Sequence, residues 1–283
     1  MLKRVLTAII ALAAFVPILI FSGTTVGRYI FIGLIFILNA FAMIEATKCV
    51  GLGKKFWINI PVYVFSAASL IAMVFFGNEQ WLSQYGLAAF LTFTFIILAI
   101  SMLSRGIVRI SQTAELLVLA FYITIGFASI VLIKDSTETY GNHLYLLVFL
   151  GAWLTDTGAY FVGRLLGKHK LLPTVSPKKT VEGAIGGLVF CVATFVVFGI
   201  IVSSINSLKI NWLALIIAGV VTSILSQFGD LIMSYLKREH GIKDFSTILP
   251  GHGGILDRFD SAIPVSIFLY ILNVVCKVMI FYE

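Results

Sequence analysis

Most of this 283-residue chain is taken up by apolar runs, about nine of them, each close to the roughly 20 residues a helix needs to cross a bilayer. They extend from about Val5 to Phe21, Tyr29 to Ile44, Ile58 to Phe76, Gly86 to Leu103, Glu115 to Ile133, His143 to Val162, Gly183 to Ser204, Trp212 to Tyr235 and Ala262 to Phe281. In hydrocarbon every backbone N–H and C=O must be bonded within the protein, which leaves helices or a closed barrel. The runs lack the ten-residue alternation of barrel strands, so the expected fold class is an all-α polytopic membrane protein with about nine transmembrane helices. Composition agrees: 60% of residues are hydrophobic and 12% charged, against roughly 25% charged in soluble domains.

Lys3 and Arg4 precede the first run in the manner of a secretory signal. The run is longer than the usual apolar core of such a signal and further spans follow, so it reads as a retained helix, with a cleaved signal as the alternative. Orientation follows from basic residues. With these spans, 16 of the 20 Lys and Arg residues fall on one side, which holds the N-terminus and the segments 45–57, 104–114, 163–182 and 236–261. The positive-inside rule makes that side, and the N-terminus, cytoplasmic. It also accounts for most of the net charge of +7 without a nucleic-acid partner. The expected location is a cytoplasmic (inner) membrane. Cys49, Cys191 and Cys276 show no disulfide or metal-ligand spacing.

No internal repeat or linker divides the chain, but polar chemistry is uneven. Residues 1–142 hold spans one to five and few polar groups. Residues 143–283 hold spans six to nine, the intramembrane acids and the dense loops 163–182 and 236–261, and are expected to be the catalytic region. A carboxylate within a span costs a few kcal/mol unless paired or hydrated. Asp156 in the sixth span and Asp230 near the cytoplasmic end of the eighth are therefore candidates for function, with snorkelling or ion pairing as the plainer explanation. Tyr160 lies one turn beyond Asp156, as a substrate contact or an interfacial aromatic.

The loop before the seventh span contains SPKKTVEGAIGG from Ser176. Ser176 and Pro177 are read as a turn that delivers Lys178, Lys179 and Thr180 to a helix start, where free amides and the helix dipole attract an anion. Two lysines there would suit a polyphosphate, or simply obey positive-inside.

The segment from Ser234 to Asp260, SYLKREHGIKDFSTILPGHGGILDRFD, is the long polar interruption of the C-terminal half. Lys237 and Arg238 close a span, Lys243 and Asp244 follow, and Gly251, Gly253 and Gly254 flank His252 so that backbone can approach a bulky anion. Asp257 and Asp260, with Arg258 between them, would share a face if helical. Hard oxygen ligands at that spacing suit Mg²⁺ holding substrate phosphates.

These residues, Ser234, Lys237, Arg238, Lys243, Asp244, Ser246, Leu249, Pro250, His252, Gly253, Gly254, Asp257, Arg258 and Asp260, stand at the spacing of the phosphatidate cytidylyltransferase signature. The SPKKT stretch, Asp156, Tyr160 and Gly163 extend the resemblance over roughly the C-terminal half. It implies transfer of a cytidylyl group from CTP to phosphatidate, giving CDP-diacylglycerol and pyrophosphate for phospholipid biosynthesis. It implies Mg²⁺ dependence, with Asp230, Asp257 and Asp260 as the metal set and room for a second cation. Family members are described as homodimers, for which the sequence adds no support of its own.

In this reading Asp230, Asp257, Asp260, Lys237 and Arg238 are the catalytic group. Ser176, Lys178, Lys179, Thr180, Lys243, His252, Gly253, Gly254 and Arg258 are candidates for binding CTP and its phosphates, while Asp156, Tyr160 and Asp244 stand as further candidates. His252 either binds leaving phosphates or holds the turn. Two rivals remain: a CTP-dependent polyprenol kinase, and an ion-coupled transporter, which would not need the glycine-rich basic loop.

Overall fold

The apolar runs fold as helices, and most of the helices outlast the runs. A computed structural model describes residues 13, 15–76, 85–137, 140–206 and 208–282, so about half of the first run lies outside the described residues. The helices are α1 (Thr25–Cys49), α2 (Phe56–Ile71, prolonged by a π-helical turn Ala72–Phe76), α3 (Leu87–Leu103), α4 (Ile110–Lys134), α5 (Gly141–Leu166), α6 (Val181–Asn206), α7 (Trp212–Glu239), the short α8 (Leu256–Phe259) and α9 (Ala262–Tyr270). Among the described residues, six are long and apolar enough to cross a membrane: α1, α2 with its π turn, and α4 to α7. The protein is therefore a mostly helical, multi-pass membrane protein.

Polar caps define several boundaries. Thr24 Oγ1 accepts from Gly27 N at the start of α1 (3.0 Å), and Asn211 Oδ1 accepts from Ala214 N at the start of α7 (3.1 Å). Each satisfies an amide that the helix leaves without an internal partner. The ninth run is helical for only part of its length. After α9 a π-helical turn, Ile271–Val275, closes with Cys276 N on the Ile271 carbonyl (2.8 Å), and Lys277 has a left-handed φ of 55°. The remainder ends in strand β4 (Phe281–Tyr282), paired antiparallel with β3 (Lys209–Ile210) in the connection between α6 and α7.

Contacts divide the chain into two compact units, residues 1–128 with 244–258 and residues 129–243 with 259–283. In the first unit, Asn39 of α1 donates to Ser66 Oγ of α2 (2.8 Å), which bonds Thr124 of α4 (2.7 Å). Such a chain of buried hydroxyls joins helices that hydrocarbon alone would not select. Phe65 of α2 stacks on Phe93 of α3 with centroids 3.7 Å apart.

In the second unit α5 and α6 pack along small residues. A Cβ on Gly158 would overlap the Phe190 ring, one on Gly186 would overlap Val162, and one on Gly187 would lie 2.8 Å from the Thr155 carbonyl oxygen. Close backbone approach supplies the dispersion contact that the hydrophobic effect cannot supply in lipid. A second small sheet also belongs to this unit: β1 (Lys170–Leu172) and β2 (Ser176–Thr180) form an antiparallel hairpin.

Gly187→Ala should lower stability by about 1–3 kcal/mol, since the backbone it meets cannot turn aside. Gly33→Ala, on a surface of α1 with no neighbour within 4 Å, should be neutral or stabilising. Thermal unfolding in detergent followed by circular dichroism compares the two; equal midpoints would contradict the packing described.

Candidate functional site

The hairpin between α5 and α6 is the first piece of the site. Sequence reasoning expects a turn at Ser176–Pro177, but the turn falls at residues 173–175 and Ser176 opens strand β2. Two strands tolerate Pro177 because a residue without an N–H can sit where no ladder bond is made, and the register is irregular between Lys170 and Leu172. The strand has a consequence for the lysine pair: successive side chains point to opposite faces. Lys178 is exposed, whereas Lys179 places Nζ 2.7 Å from Asp230 Oδ2 of α7. Only one of the two lysines is thus brought to the acids.

The helix start expected after Thr180 is present. Thr180 is buried and its Oγ1 accepts from Gly183 N (3.1 Å), capping α6. Glu182 in the first turn accepts from the Lys168 amide (3.1 Å), from the His169 amide (3.2 Å) and from His169 Nδ1 (2.6 Å). A carboxylate at a helix N-terminus is favourable, and here it ties the base of the hairpin to the helix that follows.

Acids gather where α5, α7 and the start of α9 come together. Asp230 Oδ1 accepts from Ser234 Oγ one turn along α7 (3.1 Å). Asp260 is buried, and its Oδ1 accepts from the Ser261 amide (2.7 Å). Ser261 Oγ reaches Asp156 Oδ2 of α5 (3.3 Å). Burial, together with the charges of Asp230 and Asp156, pushes the Asp260 carboxyl up to about 8, against the opposing effects of Lys237 and the Ser261 amide. Like charges in a dry place call for a cation. Lys237, buried in α7, supplies part of it, and the ammonium of Lys179 supplies another part.

Arg238 donates Nη1 to the Ile242 carbonyl (3.1 Å) and so folds the chain back after α7; Lys243 is exposed. Tyr160, also exposed, accepts from Arg164 Nη1 (3.0 Å).

The glycine-rich turn lies in the other unit and has its own organisation. Gly253 sits at φ 83°, a conformation that favours glycine, and its carbonyl accepts from Leu249 N (3.0 Å). Asp257 Oδ2 accepts from Phe245 N (2.9 Å) and Gly254 N (2.8 Å). His252 holds the turn through its backbone: its N–H donates to Leu249 O (2.8 Å) and its carbonyl accepts from Arg258 Nε (2.9 Å). Its Nδ1 is buried with no hydrogen-bond partner among the described residues. Asp244 and Arg258 are exposed.

The expectation that Asp257 and Asp260 share a helical face does not hold. Helix α8 ends at Phe259, so Asp257 is helical while Asp260 falls in the turn beyond it.

One residue escapes sequence reasoning altogether. Glu45, fully buried in the last turns of α1, accepts from Ser246 Oγ (2.6 Å) and Ile255 N (2.9 Å) through Oε1 and from Leu256 N (2.8 Å) through Oε2. Its only signal is that it is the sole acid in the first 78 residues.

As a metal site the acids fit in kind, being hard, partly buried oxygen donors. Among the described residues no three side chains stand together at ligating geometry. Asp230 is engaged by Lys179 and Ser234, so a divalent ion there would compete with an ammonium.

In this mostly helical membrane protein, residues 2–276 match the family described as the cytidylyltransferase family. The chain belongs to that family. It is 39% identical over 258 residues to the phosphatidate cytidylyltransferase of Staphylococcus haemolyticus, covering 91% of this chain and 93% of that one. The proteins of the same name from Staphylococcus saprophyticus and Staphylococcus aureus are 38% and 36% identical, with the same coverage of both chains.

Because strand alternation separates the two lysines, Lys179→Met should reduce cytidylyl transfer about 100-fold, as for loss of a group that compensates charge at a reacting centre. Lys178→Met should change it by less than about fivefold, the scale of an exposed charge. Steady-state rates of the purified variants distinguish them, and losses of equal size would show that both lysines serve the same site.

Proposed function

We propose that this chain transfers the cytidylyl group of CTP to phosphatidate, forming CDP-diacylglycerol and pyrophosphate. The observation that carries the proposal is the ion pair of Lys179 with Asp230, which ties the SPKKT stretch to α7 one turn before the signature segment begins at Ser234. The printed names of the relatives support the same substrates.

In the reaction an oxygen of the lipid phosphate attacks the α-phosphorus of CTP; the new P–O bond forms as the bond to the β-phosphate oxygen breaks, and pyrophosphate leaves. A phosphate monoester is largely dianionic at pH 7 because its second pKa is near 6. It needs little help from a protein base, so His252 is left to bind leaving phosphate or hold its turn. Catalysis is then a matter of positioning and charge.

Lys179, Lys237 and Arg238 would hold the triphosphate, with the exposed Lys178 at its edge and Arg258, Lys243, Ser176, Thr180 and Gly253 around it. Asp230, Asp257 and Asp260 would hold Mg²⁺, which when bound neutralises phosphate charge and orients its oxygens. Asp257 accepts its two backbone bonds through Oδ2. Asp156 would add to the negative field that draws a cation in. Lys237 opposes that field and is the buried cation of the group.

The distribution of Lys and Arg supports a site facing the cytoplasm, where CTP is made, in a cytoplasmic membrane whose inner leaflet offers phosphatidate. The residues assigned to catalysis and binding come from residues 143–283.

Purified protein given CTP, Mg²⁺ and phosphatidate should release pyrophosphate only when the lipid is present, with CDP-lipid as co-product. Asp257→Asn should lower that rate roughly 100-fold or more. CDP and a newly phosphorylated lipid would instead identify a kinase, and full activity in the variant would remove Asp257 from the metal set. Lys237→Ala should raise the CTP concentration needed for half-maximal rate more than it changes the phosphatidate requirement. The reverse pattern would assign Lys237 to the lipid.

A further inference from the structure

Glu45 is costly where it stands. A carboxylate near the C-terminal end of a helix opposes the helix dipole, and a fully buried one has lost its water. What offsets this is a set of three donors from one segment: the Ser246 hydroxyl and the amides of Ile255 and Leu256. The amides are those at the entry to α8, and the preceding amide, Gly254 N, is taken by Asp257. Consecutive amides from Gly254 to Leu256 therefore point at two carboxylates, one from within the turn and one from α1. Gly254 itself is shaped by this contact: a Cβ there would overlap both oxygens and the carboxyl carbon of Glu45. The glycine admits the acid, and the acid fixes the glycine.

We propose that Glu45 is a positioning residue for the reaction: by clamping Ser246 and the amides at 255 and 256 it holds the glycine-rich turn in the conformation that presents Asp257. The inference rests on the assignment of Asp257 to the site.

Glutamine tests the clamp with little change of volume. Both oxygens of Glu45 accept, so whichever way the amide of Glu45→Gln is turned, its NH₂ faces a donor. Displacement of a catalytic group by an ångström costs up to about 100-fold in rate. The full-length variant in detergent should accordingly lose roughly 10- to 100-fold in kcat, with an unfolding midpoint close to wild type. Hydrogen exchange should accelerate in the peptide spanning 246–257 and stay unchanged in α5 and α6. Gly254→Ala, which pushes on the same contact from the other side, should match it. The double variant should be no slower than the slower single one, because both changes break one interaction.

A kcat within twofold of wild type in Glu45→Gln, unchanged exchange across 246–257, or independent multiplication of the two losses would each overturn the proposal. So would a loss of activity that tracks a lowered unfolding midpoint, since that marks a general structural role. Asp257→Asn run in parallel separates the two readings. If it retains activity while Glu45→Gln does not, the metal assignment of Asp257 fails and the clamp on the turn stands.

Discussion

Charge without water is the constraint on which this structure turns. A chain of this composition can bury apolar side chains anywhere, but each carboxylate it places among the helices must find donors or a counter-charge. Asp230 finds Lys179 and Ser234. Asp260 finds the Ser261 amide, and its proton affinity rises because that is not enough. Asp257 and Glu45 find backbone amides. Apart from Ser234, which lies in α7, these partners come from the segments that interrupt the helices, so satisfying the acids also folds the hairpin and the glycine-rich turn.

The helical part of the fold is legible in the sequence because a bilayer sets one length, and a run of apolar residues reports it directly. Ends are read less well: α5 continues to Leu166 and α7 to Glu239, beyond the apolar runs marked in the sequence, because the backbone ladder continues wherever no breaker stops it. The run after Ala262 shows the opposite failure. Apolarity continues through Phe281 while the helix gives way at Lys277 and the chain becomes a strand. Hydropathy measures preference for a medium and is blind to the partner that β3 offers.

Within the site, the residues that resemble the family's signature were legible as a set, and their geometry was not. Ser176–Thr180 carries a proline and two lysines, which locally resembles a turn; only pairing with Lys170–Leu172 makes it a strand. Glu45 was illegible for a different reason. Its donors lie 201 to 211 positions away, and no local pattern marks an acid that exists to meet amides so far along the chain.

Gly254 gives this a sharper form. Signature glycines are habitually credited to the ligand, as places where backbone must come near a phosphate. Here the space left by the missing side chain is filled by the protein's own carboxylate, supplied from α1. A short motif can thus carry the imprint of a residue outside it. Transplanting the C-terminal signature into another helical scaffold would bring along a gap shaped for Glu45 and nothing to fill it, so the motif is not a portable module.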